Sequence, residues 1–290
     1  MKPINNVFLV AIGVIFLLFN SCVKNNPDPS WIEVNQWTLA ANPNSQYPTG
    51  ELTNNFTDAW VYVNDEVIGV FEVPFKIPIL KSGPVNIKIY PAIRNNGISA
   101  TKKIYPFVDV FELNTELIPN QVLTLNPVTK YKDAVQFWLE EFEDAAMKIQ
   151  DDPVSLANIT KGNDPNILQW GNFYGRVDLN YIDSTWSAYT DNMVLPKGKE
   201  VYMEIDYYNT NSFITGLIWI SSTSIINNPH ILLNGQDPSL VKWKKVYIDL
   251  KELVSNSQGA EYFKQSFETI LSSDLTSSFI VIDNIKVVHF

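Results

Sequence analysis

Three groups of residues in this chain of 290 have types and spacings that could do chemistry. The first is aromatic: Trp170-Gly171-Asn172-Phe173-Tyr174-Gly175-Arg176 and Ser184-Thr185-Trp186-Ser187-Ala188-Tyr189 set Trp, Tyr and Arg among polar residues and glycines. An aromatic face is a flat apolar surface on which a sugar ring can stack, while neighbouring polar groups hydrogen-bond its rim. Trp170, Tyr174 and Trp186 are therefore the candidate ligand-binding residues. Closing an apolar core is their competing role, because large aromatics are mostly buried. An exposed aromatic patch would serve a protein partner equally well.

The second group is acidic. Glu140-Glu141 and Glu143-Asp144 supply neighbouring carboxylates, and hydrolysis of a glycosidic bond needs only two. On a strand, however, consecutive side chains point to opposite faces, so adjacency in sequence does not make a catalytic pair. The two histidines, His230 and His289, stand in no pattern of nucleophile and base. No zinc-protease helix motif, nucleophile elbow or phosphate-cradling glycine loop occurs. No catalytic residue is assigned, and the expectation is that the protein is not an enzyme.

The third group is one thiol. Cys22 is the chain's single cysteine and follows Met1-Lys2, the apolar run Val7 to Phe19, and Asn20-Ser21. A basic start and an apolar stretch too short to span a bilayer comfortably mark a secretory signal. A lone Cys in an exported chain has no disulfide partner, and acylation would consume it. The segment resembles a bacterial lipoprotein signal, with residues 1–21 removed and Cys22 carrying the lipid; Phe19 and Asn20 depart from the usual residues before the cleavage site. Several acyl chains on one residue anchor firmly, at roughly 0.8 kcal/mol per buried methylene. The competing reading is an ordinary cleaved signal or an uncleaved anchor helix. Residues 22–30 are polar with two prolines and read as a tether. With no Asp after Cys22, an outer-membrane destination is expected, with the leaflet left open.

Composition bounds the rest. At 46% apolar and 13% aromatic, the chain can bury a sizeable core. A formal net charge of -10 excludes a nucleic-acid partner, whose phosphates need clustered Lys and Arg. Acidity also disfavours a peripheral grip on anionic lipid. Beyond the signal no second long apolar run exists, so membrane attachment rests on the lipid.

The elements that must position these groups are strands. Ala59–Val63 and Val67–Phe71 flank Asn64-Asp65-Glu66, the pattern of a hairpin. Val85, Ile87 and Ile89 alternate with Asn86, Lys88 and Tyr90. Residues 110–118 and 121–129 are expected to pair across Pro119-Asn120. Polar residues take over at 126–132, so the chain divides into residues 31–131 and 132–290. In the second part Phe137–Asp144 opens, with residues 279–288 as its apparent partner at the far end of the chain. Between them lie the strand patterns 201–208, 213–220 and 243–250, and residues 258–271 are expected to hold a helical turn or two. The fold class is all-β: a small sandwich followed by a larger, antiparallel one.

Two further resemblances refine this. Trp60–Gly69, Pro78 and Lys81–Ile89 resemble a PEGA-type, immunoglobulin-like module of surface proteins. Phe142-Glu143-Asp144, Trp243–Leu250 and Ile282–Val288 together resemble the jelly roll of carbohydrate-binding and galactose-binding-like modules. The combination is similar to envelope lipoproteins of Bacteroidetes type. The jelly-roll resemblance implies a structural Ca²⁺ between first and last strands, with Glu143 and Asp283 as candidates; Asp283 could equally be a turn residue bonding its own backbone. The leading expectation is a non-enzymatic outer-membrane lipoprotein that binds another envelope protein or lipoprotein as an accessory subunit. The alternatives are a glycan-binding lipoprotein of a polysaccharide-uptake system and a surface adhesin.

Overall fold

The structure is a computed structural model and describes residues 28–290. The N-terminal apolar stretch, Cys22 and the tether up to residue 27 lie outside the described residues. No described helix is long and apolar enough to cross a membrane.

The chain enters at β1 (Ser30–Val34) and β2 (Thr38–Leu39), so Ser30, assigned to the tether above, already belongs to a strand. β3 (Asp58–Val63) and β4 (Glu66–Glu72) are the expected hairpin. Asn64 and Asp65 form its two-residue turn with φ of 53° and 61°, a left-handed geometry these two residue types tolerate. Then follow β5 (Phe75–Ile79), the long β6 (Gly83–Arg94) and β7 (Lys102–Ile104). β8 (Phe111–Leu117), β9 (Val122–Leu125) and β10 (Val128–Thr129) complete the first sandwich. One sheet runs β4-β3-β6-β7 with β8 also on β6, the other β5-β1-β9, and β2 pairs β10. Ile32, Val34, Ile77 and Ile79 meet Val61, Val63, Val85 and Ile87 in one core.

The expected pairing of residues 110–118 with 121–129 is not what forms. β8 pairs β6, whereas β9 pairs β1 in parallel. The reason lies in the turn. The favoured two-residue hairpin turns need positive φ at the first central position, and the proline ring of Pro119 forbids that. Pro119 followed by Asn120 at φ 63°, closed by Gln121 N–H to the Ile118 carbonyl at 3.1 Å, is a type II turn. It hands the chain from one sheet to the other.

The second sandwich begins with β11 (Gln136–Glu140), β12 (Ile149–Asp151), β13 (Thr160–Gly162) and β14 (Tyr174–Asn180). It continues through β15 (Thr185–Thr190), β16 (Val201–Asn209), β17 (Phe213–Ile220), β18 (Ile225–Leu233) and β19 (Lys244–Asp249). Helix α1 (Lys251–Asn256), β20 (Tyr262–Ile270) and β21 (Ser277–His289) end the chain. The sheets are β13-β14-β21-β16-β19, with β11 on β21, and β12-β15-β20-β17-β18. The chain changes sheet at most connections, as a jelly roll does. Residues 258–271 are not helical: they hold β20, at the centre of the second sheet. Phe263, Gln265 and Phe267 alternate inward, and the buried Gln265, which donates to the Gly216 carbonyl at 2.5 Å, hid that period in the sequence.

β21 joins the two halves of the first sheet. Its residues 285–289 pair β11 and residues 277–282 of the same strand pair β14, with a bulge between, where Asn284 takes φ 48°. Along β16 the alternation is strict. Val201, Met203 and Ile205 face the sandwich core, whereas Tyr202, Glu204 and Asp206 face outward. That outer face is not wet: Tyr202, Glu204, Asp206, Lys245, Tyr247, Lys286 and Val288 are all buried. The first sandwich covers it, and Tyr202, Tyr247 and Val288 belong to the first sandwich's core. The chain is therefore two sandwiches sharing one buried joint.

Candidate binding cleft

At one side of the joint the covering is incomplete, leaving a cleft of about 760 Å³. Its first-sandwich wall is the loop Thr53–Thr57 together with Arg94 and Gly97. The second sandwich supplies Gln169 and Trp170 from the β13–β14 loop, Tyr207 of β16, and Lys242–Tyr247 along the edge strand β19. Asn55 fastens the walls together: its N–H donates to the Tyr247 hydroxyl at 3.0 Å and its Nδ2 to the Lys245 carbonyl at 3.0 Å.

Two partly exposed indoles mark the second-sandwich wall. Trp170 and Trp243 meet edge to face with ring centroids 5.3 Å apart, an arrangement favoured by aromatic quadrupoles. Trp243 Nε1 donates to the Ile167 carbonyl at 2.7 Å, which ties the β13–β14 loop to the start of β19. Behind it Tyr208 packs at 5.8 Å and in turn stacks on Phe279. The indoles are thus held in fixed orientations, which lowers the entropy lost on binding.

The floor is charged and dry. Thr53 Oγ1 donates to Asp206 Oδ2 at 2.6 Å and accepts from Lys245 Nζ at 3.0 Å. Lys245 Nζ also lies 3.1 Å from Glu204 Oε2 and 3.6 Å from Asp206 Oδ2. Glu204 Oε1 accepts from the hydroxyls of Tyr105 at 2.5 Å and Tyr131 at 2.8 Å. Burial opposes charge on all three ionic groups. Lys245 is nonetheless held above the ordinary lysine range by Asp206 and Glu204, and Glu204 below its ordinary range by Lys245 and Lys286. For Asp206 burial dominates, and its carboxyl is raised.

Of the three aromatic candidates, the cleft contains one. Trp170 lines it. Tyr174 and Trp186 do not present a face to solvent: each is 1% exposed, which removes them as stacking platforms. Trp186 stacks on Phe267 inside the sandwich, and its Nε1 donates to Asp151 Oδ1 at 2.8 Å. Tyr174 braces the loop that carries Trp170, its hydroxyl accepting the Asp164 N–H at 3.1 Å. Trp186 sits at an inward position of β15, in the sandwich core, whereas Tyr174 lies on the outer face of β14, buried where its ring packs over Gly162 of β13.

Glu143 and Asp283 line one small cavity of about 50 Å³, at the gap between β11 and β14. Both oxygens of Glu143 and one of Asp283 are engaged within the protein. Glu143 Oε1 accepts the N–H groups of Asn172 at 2.6 Å and Phe173 at 3.0 Å, and Oε2 accepts Asn172 Nδ2. Burial opposes its charge, yet these donors keep the carboxyl below its ordinary range. Gly171, at φ 57°, is needed there, since a side chain would strike Glu143. Asp283 Oδ1 accepts the Asn284 N–H at 2.8 Å, and burial pushes its carboxyl up to about 8. Among the described residues no group of three or more acidic, His or Cys side chains is placed to hold a metal. These residues do not fit the calcium site the resemblance implied, and Asp283 is the turn residue of the bulge.

Sequence reasoning missed Trp243, which was read only as the head of a strand, and the amides Asn54, Asn55 and Gln169. A signal existed for the first. Lys242-Trp243-Lys244-Lys245 sets one indole among three lysines in a chain of net charge -10. The amides carry no such mark, because only the fold brings residues 54, 169 and 243 to one cleft.

No protein-family model matches the sequence. No curated protein matches it either. Among solved structures it is similar to the CBM22-2 xylan-binding domain of Xyn10C from Paenibacillus barcinonensis, at 15% identity and a TM-score of 0.38, over 53% of this chain and 99% of that one. The K1 cleaved adhesin domain of Lys-gingipain from Porphyromonas gingivalis W83 is similar at 16% identity and a TM-score of 0.37, over 52% and 97%. The enzymatically active domain of tailspike protein 4 from bacteriophage CBA120 is similar at 12% identity and a TM-score of 0.38 over 52% of this chain, which spans 20% of that one. At these scores the likenesses carry no functional argument, and the cleft is read from its own geometry.

Proposed function

We propose that the protein is a non-catalytic carbohydrate-binding protein whose ligand lies in the cleft between its two sandwiches. The observation that supports this is the pairing of two partly exposed, pre-oriented indoles, Trp170 and Trp243, with the amides Asn54, Asn55 and Gln169 around one groove. Stacking surface beside hydrogen-bonding amides is what a sugar requires. Asp206 is the one carboxylate lining the cleft, and it is committed to Thr53 and Lys245. A two-carboxylate hydrolysis has no second group there, which favours binding over turnover. In this reading Cys22 carries the lipid and holds the protein at the outer membrane, as part of a system that takes up polysaccharide.

The test is an array of plant, microbial and host glycans probed with the full-length protein in non-ionic detergent. At least one glycan is expected to bind, with affinity falling about tenfold or more in Trp170→Ala and in Trp243→Phe. No binding to any glycan, or binding indifferent to both substitutions, would overturn the reading.

A second reading, an accessory subunit that binds an envelope protein, draws on a separate observation. On the five-stranded sheet an apolar groove of about 560 Å³ runs beside Val154, Leu232 and Ile270, which are 77%, 54% and 72% exposed. Exposed apolar surface of this kind suits a protein partner. Co-purification of a second protein in fixed proportion, abolished by Leu232→Asp, would favour this reading over the first.

A further inference from the structure

The charges around the cleft are one-sided. Arg94, Lys242, Lys244 and Lys245 line it against a single carboxylate, Asp206, in a chain whose net charge is -10. Two of these cations are answered within the protein. Arg94 pairs with Glu72 at 3.0 Å and lies 3.8 Å from Asp58, and Lys245 is held by Glu204 and Asp206. The other two are not. Lys242 and Lys244 flank Trp243, are exposed, and form no ion pair among the described residues. Neither lysine is needed to keep the joint together, and an acidic chain already has the net charge that solubility requires. Unpaired ammonium groups beside a stacking platform concentrate oppositely charged ligands at that point.

Resting on the carbohydrate reading above, we infer that the cleft selects an acidic glycan, one whose sugars carry carboxylate or sulfate groups. Its rings stack on Trp170 and Trp243, while Lys242 and Lys244 meet the negative groups at the rim of the groove, Lys244 from the opposite face of β19 around that strand's free edge. The long-range repulsion of a net-negative protein is screened at physiological salt, where the Debye length is about 8 Å, so the local lysines decide the interaction.

Isothermal titration of the full-length protein in non-ionic detergent with four oligosaccharides of equal length tests this. Hexagalacturonate and a sulfated hexasaccharide are the acidic probes, and xylohexaose and cellohexaose the uncharged ones. At least one acidic probe is expected to bind about tenfold or more tightly than either uncharged probe, and whichever acid wins identifies carboxylate or sulfate as the group read. Lys242→Ala/Lys244→Ala should erase about tenfold of the acidic affinity, the sum expected of two exposed ion pairs, and lower any uncharged affinity by a clearly smaller factor. Both lysines are exposed, so the variant retains its fold. An uncharged probe binding as tightly as the acids, or an unchanged acidic affinity in the double variant, would overturn the inference while leaving the carbohydrate reading in place. Binding of none of the four probes, together with a blank glycan array, would remove both.

Discussion

Lys245 Nζ lies 3.1 Å from Glu204 Oε2, with the two side chains 4% and 0% exposed, at the place where one sandwich closes over the other. A buried pair of this kind adds little net stability over an apolar replacement, but breaking it strands a charge. Lys245→Met should therefore cost about 3–5 kcal/mol in urea unfolding. Glu204→Gln/Lys245→Met, which removes both charges of the closest pair and keeps an acceptor for the two tyrosines, should be less destabilised than Lys245→Met alone. A single variant within about 1 kcal/mol of the parent would show that the pair does not hold the joint.

The phenols of Tyr105 and Tyr131 both donate to Glu204 Oε1 across that joint. Each is fully buried, and burial first, then the neighbouring Glu204 charge, raises both hydroxyls well above the ordinary tyrosine range, so they remain donors at any physiological pH. Tyr105→Phe and Tyr131→Phe should each cost about 1.5–3 kcal/mol, the range for a hydrogen bond to a charged group. Because the two share one oxygen, the double variant should depart from additivity, and a double-mutant cycle on thermal unfolding checks it.

Stability should depend on pH through Asp283. Burial pushes its folded-state carboxyl up to about 8, with Asp206, Glu141 and Glu143 adding like charge, against about 3.9 in an unfolded chain. Between those values the folded state keeps a proton that the unfolded state has released. The contribution is therefore complete below about pH 4 and is lost as the pH rises through about 8. Asp283→Asn should flatten this slope and raise the melting temperature above pH 8 by several degrees. Lys286, lowered by burial to about 8 from 10.5, acts only at higher pH and with the opposite sign. It is common to both proteins and cancels in their difference. Parallel melting curves for the two proteins from pH 5 to pH 9 would contradict the assignment.

Trp186 and Trp170 should separate cleanly. Trp186→Ala opens a cavity against Phe267 and leaves Asp151 without its indole donor, and should cost about 3–5 kcal/mol. Trp186→Phe should retain glycan affinity at a lower melting temperature. Trp170→Ala, on a partly exposed loop residue, should move stability by less than about 1 kcal/mol and reduce affinity. Calorimetric melting alongside titration of the same preparations reads both quantities.

How much of this was legible in the sequence follows from what sets each feature. The hairpin around Asn64-Asp65-Glu66 and the pairing of the stretch that opens at Phe137 with the last strand could be read, because turn chemistry and two-residue alternation are local, though Glu66 proves to belong to the strand and not the turn. The fate of β8 and β9 turned on one proline ring, and β20 was hidden by the buried Gln265. Trp170 was singled out on its composition and lies at the cleft. Tyr174 and Trp186, singled out on the same grounds, are buried, Trp186 in the sandwich core and Tyr174 against Gly162, since aromatic content alone does not tell a covered position from an open one. The joint was invisible. Residues 201–208 show only an alternating strand, and nothing local says that a second sandwich will cover Tyr202, Glu204 and Asp206.

That covered face makes the second sandwich a poor candidate for transplantation. A self-contained β module can be cut from one chain and spliced into another, because its outer surfaces are already suited to water. Residues 132–290 cut free would lay bare Tyr202, Tyr247 and Val288, and would separate Lys286 from the backbone carbonyls of Thr49 and Glu51 that hold it at 2.6 and 2.5 Å. The unit that can be inherited or engineered as one piece is the pair of sandwiches, and the groove they frame travels only with both.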